Sequence, residues 1–307
     1  MSTCSHPDKL LIDHLNEVAR HCKKVVQERS WLTNCVISQD IMANVAFLCG
    51  AFHDIGKATV FFQHYLKTLG VEQIGPKNHA LISALFVQQI VRKYLNTTNL
   101  PFFEKELITT FSFTATKRHH GGLLDLEDEM YIKDKSKELK EITDAFQVET
   151  VQEITDHFLK ELSLSYDFSE FKSYIKSSQF EKDLPYFYEE EIKYGAYENY
   201  EMQKKIQYFY LHQLLYSTLL LSDKTDVIVD IDASTSNTFP LDAVNTFREK
   251  NGYNNAKSSI DEYKNSAYFE SIKRLKDVYS TDQHIYSLTL PTGLGKTLIS
   301  LGIALEI

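Results

Sequence analysis

The stretch "FHDIGKATVF", residues 52–61, places a histidine and an aspartate side by side within an apolar run, with Lys57 three positions later. Neighbouring residues of a helix point about 100° apart, so His53 and Asp54 reach a common point only at a helix end or in a shared cavity. A helix terminus, capped by Asp54 and stopped at Gly56, would explain the pair without any function. The other histidines and aspartates of the chain decide between these interpretations.

Size and composition limit the possible classes of protein. The chain has 307 residues, of which 43% are hydrophobic and 24% charged, as in ordinary soluble globular proteins of one large domain or two smaller ones. No apolar run approaches the roughly 18 residues that cross a bilayer, and the N-terminus lacks the pattern of a signal peptide. We therefore expect a cytoplasmic protein without membrane contact. In such a reducing compartment we expect free thiols at Cys4, Cys22, Cys35 and Cys49.

The net charge of −9 is unevenly distributed along the chain. Residues 1–124 hold 13 Lys/Arg and 9 Asp/Glu, a net charge of +4, whereas residues 125–200 hold 9 and 20, a net charge of −11. The acidity therefore belongs to one middle segment, and a nucleic-acid-binding surface remains possible elsewhere, without positive support from charge.

The hydrophobic pattern of the N-terminal part predicts a mainly α fold, a helical bundle. Residues 12–29 form an amphipathic helix, and residues 38–70 form a buried central helix interrupted at Gly56. Asn78 is a good N-cap for the next helix, and Gly121 and Gly122 stop the fourth. A further long apolar helix starts near residue 200 and is expected to end at Ser222–Asp223.

The remaining segments predict the domain organisation. The charged, weakly periodic residues 125–200 are expected to be solvated helices that form an acidic insertion within a domain spanning residues 1–240. Residues 241–283 are expected to be a linker and lead-in, followed by a strand, a glycine-containing loop and a helix in residues 284–307.

Histidines and carboxylates recur at the predicted helix ends in the order H…HD-x-x-K…H…HH…D. The residues are His14, His53, Asp54, Lys57, His79, His119, His120 and Asp223. Each one alone is explained by core packing or by a polar helix end, but chance poorly explains the joint order. Imidazoles and carboxylates together suit Mn, Fe, Co, Ni or Zn, and a shared carboxylate can bridge two ions about 3.5–4 Å apart, as in phosphodiester hydrolysis. Lys57 could balance charge or contact a phosphate.

The stretch "SLTLPTGLGKTLIS", residues 287–300, predicts a phosphate-binding loop between a strand and a helix. Backbone amides from Gly293 to Thr297, including Gly295, could cradle phosphates at a helix N-terminus, with Lys296 on the terminal phosphates and Thr297 on magnesium. Leu290 occupies the position where the usual loop has its first glycine, a relaxation that helicases share. Only ten residues follow this loop, so we expect a truncated start of a RecA-like helicase lobe, without ATP hydrolysis by this chain.

These stretches resemble the HD nuclease domain of the type I CRISPR-associated nuclease-helicase, Cas3. The resemblance rests on "HLNEVA" (His14), "HDIGKA" (His53, Asp54), "NHALIS" (His79), "RHHGG" (His119, His120) and "LLLSDKTD" (Asp223). It covers roughly residues 10–225, and the acidic segment adds nothing to it. The HD pair alone marks only a broad phosphohydrolase superfamily, whereas the doubled histidine and the downstream "PTGLGKT" narrow the resemblance to the nuclease-helicase.

The resemblance implies a catalytic site with two divalent transition metal ions. One ion would be held by His14, His53, Asp54 and Asp223, and the other by His79, His119 and His120, with Asp54 bridging. It also implies cleavage of single-stranded DNA, recruitment by a Cascade-type CRISPR surveillance complex, and use of ATP and magnesium by the full-length helicase.

Two other functions remain open from the sequence. A small-molecule HD phosphodiesterase that acts on cyclic dinucleotides or nucleotides uses a comparable histidine and aspartate set, although the phosphate loop and the lack of a G-Y-P signature disfavour it. The domain could also be a catalytically silent docking module for the surveillance complex. The docking-module function is disfavoured, because a catalytically silent domain has no chemical reason to keep both sets of metal-ligand residues.

Overall fold

The structure is a computed structural model that describes residues 3–30, 32, 35–76, 78–132, 134–228, 240–280 and 286–306. The chain divides into two compact units, Met1–Ile231 and Asp232–Ile307. Both units are mainly helical, and β1 (Cys4–His6) and β2 (Lys9–Leu10) form the one antiparallel sheet within the described ranges. The mainly α fold class is therefore confirmed.

The first unit contains eleven α-helices among its described residues. Their bounds are α1 Leu11–Gln27, α2 Gln39–Phe52, α3 Val60–Lys67, α4 Ala80–Leu95, α5 Phe102–Lys117, α6 Leu126–Met130, α7 Ser136–Asp144, α8 Val148–Leu159, α9 Phe168–Lys176, α10 Phe180–Phe187 and α11 Met202–Ile228. A 3-10 turn, Ile55–Ala58, lies between α2 and α3.

Helices α1, α2, α4, α5 and α11 pack together as the central bundle. Gly50 of α2 lies against α1, and a Cβ there would come within 2.7 Å of the Cα of Ala19, so only glycine permits this close crossing. On its other side α2 packs Phe52 edge-on against Phe86 of α4 and Phe158 of α8, with ring centroids 5.4 and 5.6 Å apart. The tight packing fixes where the C-terminal end of α2 lies.

The acidic segment differs from the expected solvated helices. Helices α7 to α10 are amphipathic, and each buries an apolar face in the same core as the bundle: Leu139, Ile142, Val151, Ile154, Phe158, Phe168, Phe171, Ile175, Phe180 and Leu184. The acidic side chains occupy their outer faces, as Glu141 and Glu153 do. These helices are only 8 to 12 residues long, so each completes few turns, which hides the helical period in the sequence. The boundaries at 125 and 200 stay a prediction.

Helix α11 does not end at Ser222–Asp223 as predicted but continues to Ile228. The polar run "SDKTD" is therefore helical, which places Asp223 and Asp226 three residues apart on one helix face.

The second unit contains α12 (Ala243–Lys250), α13 (Ser259–Val278) and α14 (Lys296–Glu306). Its small core joins Val244, Tyr268 and Ile299, and the guanidinium of Arg248 lies 4.0 Å from the centroid of the Tyr268 ring. Residues 286–290 of the predicted strand have no strand structure, because no neighbouring strand among the described residues pairs with them, and His284 and Ile285 lie outside the described residues. A RecA-like lobe is therefore not supported by this unit, and the domain boundaries at 240 and 283 stay predictions.

The state of the thiols agrees with the expectation from the sequence. Cys22, Cys35 and Cys49 are free thiols, with Cys22 and Cys49 buried and Cys35 half-buried. Over the described residues, no helix has both the length and the apolar character needed to cross a membrane.

Candidate metal centre

The HD pair lies at the C-terminal end of α2, as one interpretation of the sequence expected, but the side chain of Asp54 makes no capping hydrogen bond there. Ser38 caps α2 by accepting from the backbone N–H of Ile41, and α2 ends at Phe52. Asp54 then leaves the helical backbone conformation, with φ −115° and ψ 15°, before the 3-10 turn begins. The side chains of His53 and Asp54 are fully buried and point to a common centre.

Gly56 brings the start of α4 to this turn. A Cβ at Gly56 would lie 2.8 Å from the carbonyl oxygen of His79 and 2.7 Å from a methyl carbon of Ile82, so the contact requires glycine. The backbone N–H of Gly56 donates to Ser83 Oγ at 3.0 Å, which fastens the turn to α4. His79 occupies the N-cap position of α4, so the predicted N-cap, Asn78, lies one residue earlier, where its Oδ1 accepts from the backbone N–H of Ala80 at 3.3 Å. His79 is thereby held beside Asp54.

All seven predicted ligands converge in two groups that share Asp54. One group is His14, His53, Asp54 and Asp223, the other is Asp54, His79, His119 and His120, and in each group the candidate ligand atoms lie within 4.8 Å of one another. They come from α1, the turn after α2, the start of α4, the turn after α5, and α11. Each group has the composition of a divalent transition-metal site.

The two oxygens of Asp54 face different groups. Oδ2 lies 3.3 Å from His14 Nε2 and 3.5 Å from His53 Nε2, whereas Oδ1 lies 3.0 Å from His79 Nε2 and 3.4 Å from His119 Nε2. Asp223 Oδ1 completes the first group at 3.5 Å from His14 Nε2 and 3.4 Å from His53 Nε2. One carboxylate with an oxygen on each side can bridge two adjacent cations.

The buried imidazoles use Nδ1 for the protein and leave Nε2 for the centre. His53 Nδ1 donates to the carbonyl oxygen of Gly50 at 2.8 Å, and His119 Nδ1 donates to that of Thr116 at 2.6 Å. His14 Nδ1 donates to Asp226. A proton on Nδ1 leaves the lone pair on Nε2, which is the form that binds a metal.

Several buried polar atoms at the centre lack a well-formed hydrogen bond. These atoms are His14 Nε2, His119 Nε2 and both carboxylate oxygens of Asp54. Lys57 Nζ lies 2.7 Å from Asp54 Oδ2, but one ammonium cannot satisfy a carboxylate with four acceptor sites. Unpaired buried polar groups are costly, and coordination of cations would satisfy all four atoms at once, so the residues fit divalent metal ions.

The electrostatics of the centre favour ionised carboxylates. Burial alone would raise the pKa of Asp54, but His53, Lys57 and His79 outweigh it and hold that pKa well below its usual range. Asp223 follows the same pattern, with His53 as the main opposing partner, and its pKa is lowered. Burial would lower the pKa of His14, yet hydrogen bonds to Asp226 and Asp54 raise it to about 9, so a cation bound by this group would displace a proton from Nε2.

His79 and His120 form the more open side of the centre. Their Nε2 atoms lie 3.0 Å apart, and two unprotonated imidazole nitrogens at this distance repel each other unless a proton or a cation lies between them. Burial, together with positive charge on His119 and His79, lowers the pKa of His120 to about 4, so its ring is neutral and able to bind a cation.

The centre opens into a cavity of about 490 Å³. Its lining includes ligand candidates of both groups, together with His6, Lys57 and Lys224, and Gly121 and Gly122 form part of one wall. The sequence assigned no role to His6, whose ring packs edge-on against that of His14 with centroids 5.5 Å apart.

Two residues that the sequence did not reveal fix the position of the ligand candidates without belonging to either group. Asp226 on α11 accepts from His14 Nδ1, and the spacing D-x-x-D in "SDKTD" is the signal that could have revealed it. Glu129 on α6, in the acidic segment, is buried and pairs with Lys117 Nζ at 2.7 Å and Arg118 Nε at 2.6 Å, directly before His119. The acidic segment therefore helps to fix the turn that carries the doubled histidine.

The predicted phosphate-loop residues lie in the second unit. Gly293 and Gly295 have φ of +90° and +82°, a region that favours glycine, and α14 begins at Lys296, followed by Thr297. The backbone there has a glycine-rich turn that leads into a helix N-terminus.

The match to one family model agrees with the residue pattern. A family model described as "Cas3, HD domain" matches residues 5–178, more than half of the chain and including most of the acidic segment. No curated protein matches the chain. Among solved structures, the chain is similar to the CRISPR-associated Cas3 HD domain protein MJ0384 from Methanocaldococcus jannaschii, with 13% sequence identity and a TM-score of 0.41 over 71% of this chain and 99% of that one. The chain belongs to the Cas3 HD domain family, and its activity class is that of a metal-dependent HD-type hydrolase of CRISPR systems.

Proposed function

We propose that this protein is a nuclease that hydrolyses phosphodiester bonds of single-stranded DNA with two divalent metal ions. The placement of Asp54 carries the proposal, because its Oδ1 and Oδ2 face two separate groups of imidazoles. His14, His53 and Asp223 would hold one ion with Asp54, and His79, His119 and His120 the other. A bound pair of divalent cations supplies Lewis-acid activation of water and of the scissile phosphate.

The residues of the chain have distinct parts in this chemistry. The Nδ1 contacts of His14, His53 and His119 orient their rings before any cation arrives. Lys57, buried beside Asp54 and lining the cavity, balances the carboxylate and offers its ammonium to the phosphate. The cavity borders both groups, and its 490 Å³ are ample for a phosphodiester with its adjoining sugars. Lys224 and His6 supply further hydrogen-bond donors along its wall.

Several finer properties belong to the proposal. The ions would be Mn, Fe, Ni, Co or Zn, and the DNA strand would be delivered by a helicase that a Cascade-type surveillance complex recruits in the cytoplasm. The glycine turn before α14, with Lys296 and Thr297, supports a phosphate loop for ATP and magnesium in an intact helicase, although this unit has no paired strand beside it among the described residues.

The decisive experiment measures cleavage of circular single-stranded DNA with added Mn²⁺, Co²⁺, Ni²⁺ or Fe²⁺. We expect Asp54→Asn and Asp54→Ala to lose cleavage by about a hundredfold or more, since both ions lose their shared ligand. His64→Gln is the matched control, because His64 pairs with Glu72 on the surface. Equal cleavage by wild type and the Asp54 variants would refute the assignment.

A parallel arm tests the competing functions. Cyclic dinucleotides hydrolysed faster than DNA would favour a small-molecule phosphodiesterase. Purified protein that binds no metal and cleaves neither substrate would favour a silent docking module.

A further inference from the structure

Asp226 is buried behind the first metal-binding group and contacts two different elements. Its side chain is 4% exposed, Oδ2 accepts from His14 Nδ1, and Oδ1 accepts from Lys9 Nζ at 2.5 Å. Lys9 also pairs with Glu17 at 2.7 Å on the solvent side. Asp226 therefore connects α11 to α1 and to strand β2.

The contact with Asp226 distinguishes His14 from the other buried ligand candidates. His53 and His119 are oriented by carbonyl oxygens that lie three residues earlier in their own segments. His14 instead depends on a carboxylate 212 residues away in sequence. Its orientation is thus set by tertiary structure, through the docking of α11 on α1.

Asp226 itself is not placed to bind an ion at the centre. It belongs to neither group of converging ligand atoms, and each of its two oxygens already accepts a hydrogen bond. The opposite nitrogen of His14, Nε2, lies 3.3 Å from Asp54 and 3.5 Å from Asp223. Asp226 can therefore act on the centre only through the ring of His14.

We propose that Asp226 is a positioning residue that fixes the Nδ1–H form and the ring orientation of His14, and so sets the affinity of one of the two metal sites. The proposal rests on the two-metal function above and specifies which of the two metal sites loses affinity when Asp226 is changed. The site of His14, His53, Asp54 and Asp223 weakens when Asp226 is removed, whereas the site of His79, His119 and His120 keeps its affinity. Lys9 neutralises the buried carboxylate of Asp226 and has a smaller effect than Asp226 on the affinity of this site.

The experiment is a calorimetric titration of the metal-free full chain with Mn²⁺, which resolves the affinity and number of bound ions without any activity measurement. We expect two ions in wild type, and in Asp226→Ala a loss of about ten- to a hundredfold in affinity for one ion only. Asp226→Asn keeps the side-chain volume and provides the same measurement if the alanine variant folds poorly. Glu28→Ala, which removes an exposed carboxylate just after α1 that pairs with Lys24 and not with Asp226, is the matched control and should bind as wild type does.

Lys9→Met separates positioning from mere structural support. It removes the ion pair but leaves the carboxylate of Asp226 on His14, so its loss of affinity should be much smaller than that of Asp226→Ala. The proposal is overturned if both Asp226 variants bind two ions as wild type does, if both ions weaken equally, or if Lys9→Met weakens binding as strongly as Asp226→Ala. A wild-type chain that binds no ion would instead overturn the two-metal function.

Discussion

Buried histidines of this protein differ in charge according to what faces them. His14 is fully buried, and its pKa is raised to about 9 because hydrogen bonds to Asp226 and Asp54 outweigh burial. Half-buried His212 on α11 has no hydrogen-bonded carboxylate, and its removal from water outweighs the charge of Glu129 and lowers its pKa to about 4. Its ring stacks on Phe111 with centroids 4.5 Å apart, and Nε2 lies 2.7 Å from Thr114 Oγ1. The fold therefore selects neutral His212.

The neutral form of His212 predicts a loss of stability in acid. Its pKa in the folded state lies below the unfolded value of 6.5, so the unfolded state takes up the proton first and unfolding becomes easier as pH falls from 6.5 towards 4. We expect this residue to lower the free energy of unfolding by about 2 kcal/mol between pH 7.5 and pH 5. Urea unfolding of wild type and His212→Gln at several pH values measures the difference, and the variant should have the flatter pH dependence.

The matched control is His157→Gln, which changes an exposed histidine of α8. It should leave the pH dependence of wild type unchanged, since the histidines of the metal centre titrate equally in both proteins. A His212→Gln profile parallel to wild type would contradict the prediction.

Residues of the site could be recognised from the sequence where they form a combination of side chains that folding alone seldom requires. Five histidines and two aspartates stood out because imidazole beside carboxylate at helix ends is seldom needed for folding, and the structure brings these seven together. Asp226 and Glu129 could not be recognised, because a carboxylate in a charged stretch of sequence is indistinguishable from one on a solvent-exposed helix face. The burial of Asp226 depends on packing against His14, 212 residues away in sequence, and that of Glu129 on the local fold of the acidic segment.

At the scale of elements, the site depends on where helices end. Helix α2 ends at Phe52 and α5 at Lys117, so the His-Asp pair and the doubled histidine both lie on turns that point into the bundle. The glycines and caps that set such ends are local signals, which is why these ends were predictable within a few residues. The end of α11 was predicted too early, because no glycine or proline marks it and its polar residues face buried partners.

Gly56 is the element-scale position most sensitive to substitution. We expect Gly56→Ala to push the start of α4 away, because the new methyl group would lie 2.8 Å from the backbone oxygen of His79. The free energy of unfolding should fall by about 1–3 kcal/mol, as for other overpacked sites. Calorimetric titration with Mn²⁺ should show weaker binding at the site that includes His79, because that ring moves away from Asp54.

Gly122→Ala is the control for this experiment. A Cβ at Gly122 meets no atom within 4 Å, and its φ is not in the left-handed region, so the unfolding midpoint should stay that of wild type. Unchanged stability and unchanged Mn²⁺ binding in Gly56→Ala would show that α4 can shift without disturbing His79.

At the scale of the whole molecule, the two units differ in what stabilises them. The first unit has a large apolar core but gathers its ligand candidates where four buried polar atoms lack good hydrogen bonds. The second unit, in its described part, has a core of three buried residues and no cluster of metal-ligand side chains. Metal should therefore stabilise the first unit, because cations bind its folded state and not its unfolded chain.

Removal of metal tests this expectation. Each ion present at 100 times its dissociation constant should stabilise the first unit by about 2.7 kcal/mol, and a domain of this size gains about 2–4 °C in unfolding midpoint per kcal/mol. Chelator should thus lower the midpoint by about 5–10 °C for each ion lost, and a titration of Mn²⁺ should restore it gradually. Asp54→Asn, which removes the shared ligand, should abolish most of this dependence, and any transition of the second unit should not respond. A wild-type midpoint that is the same in chelator and in millimolar Mn²⁺ would mean that the seven side chains hold no ion, because a folded state that binds cations must gain stability from them.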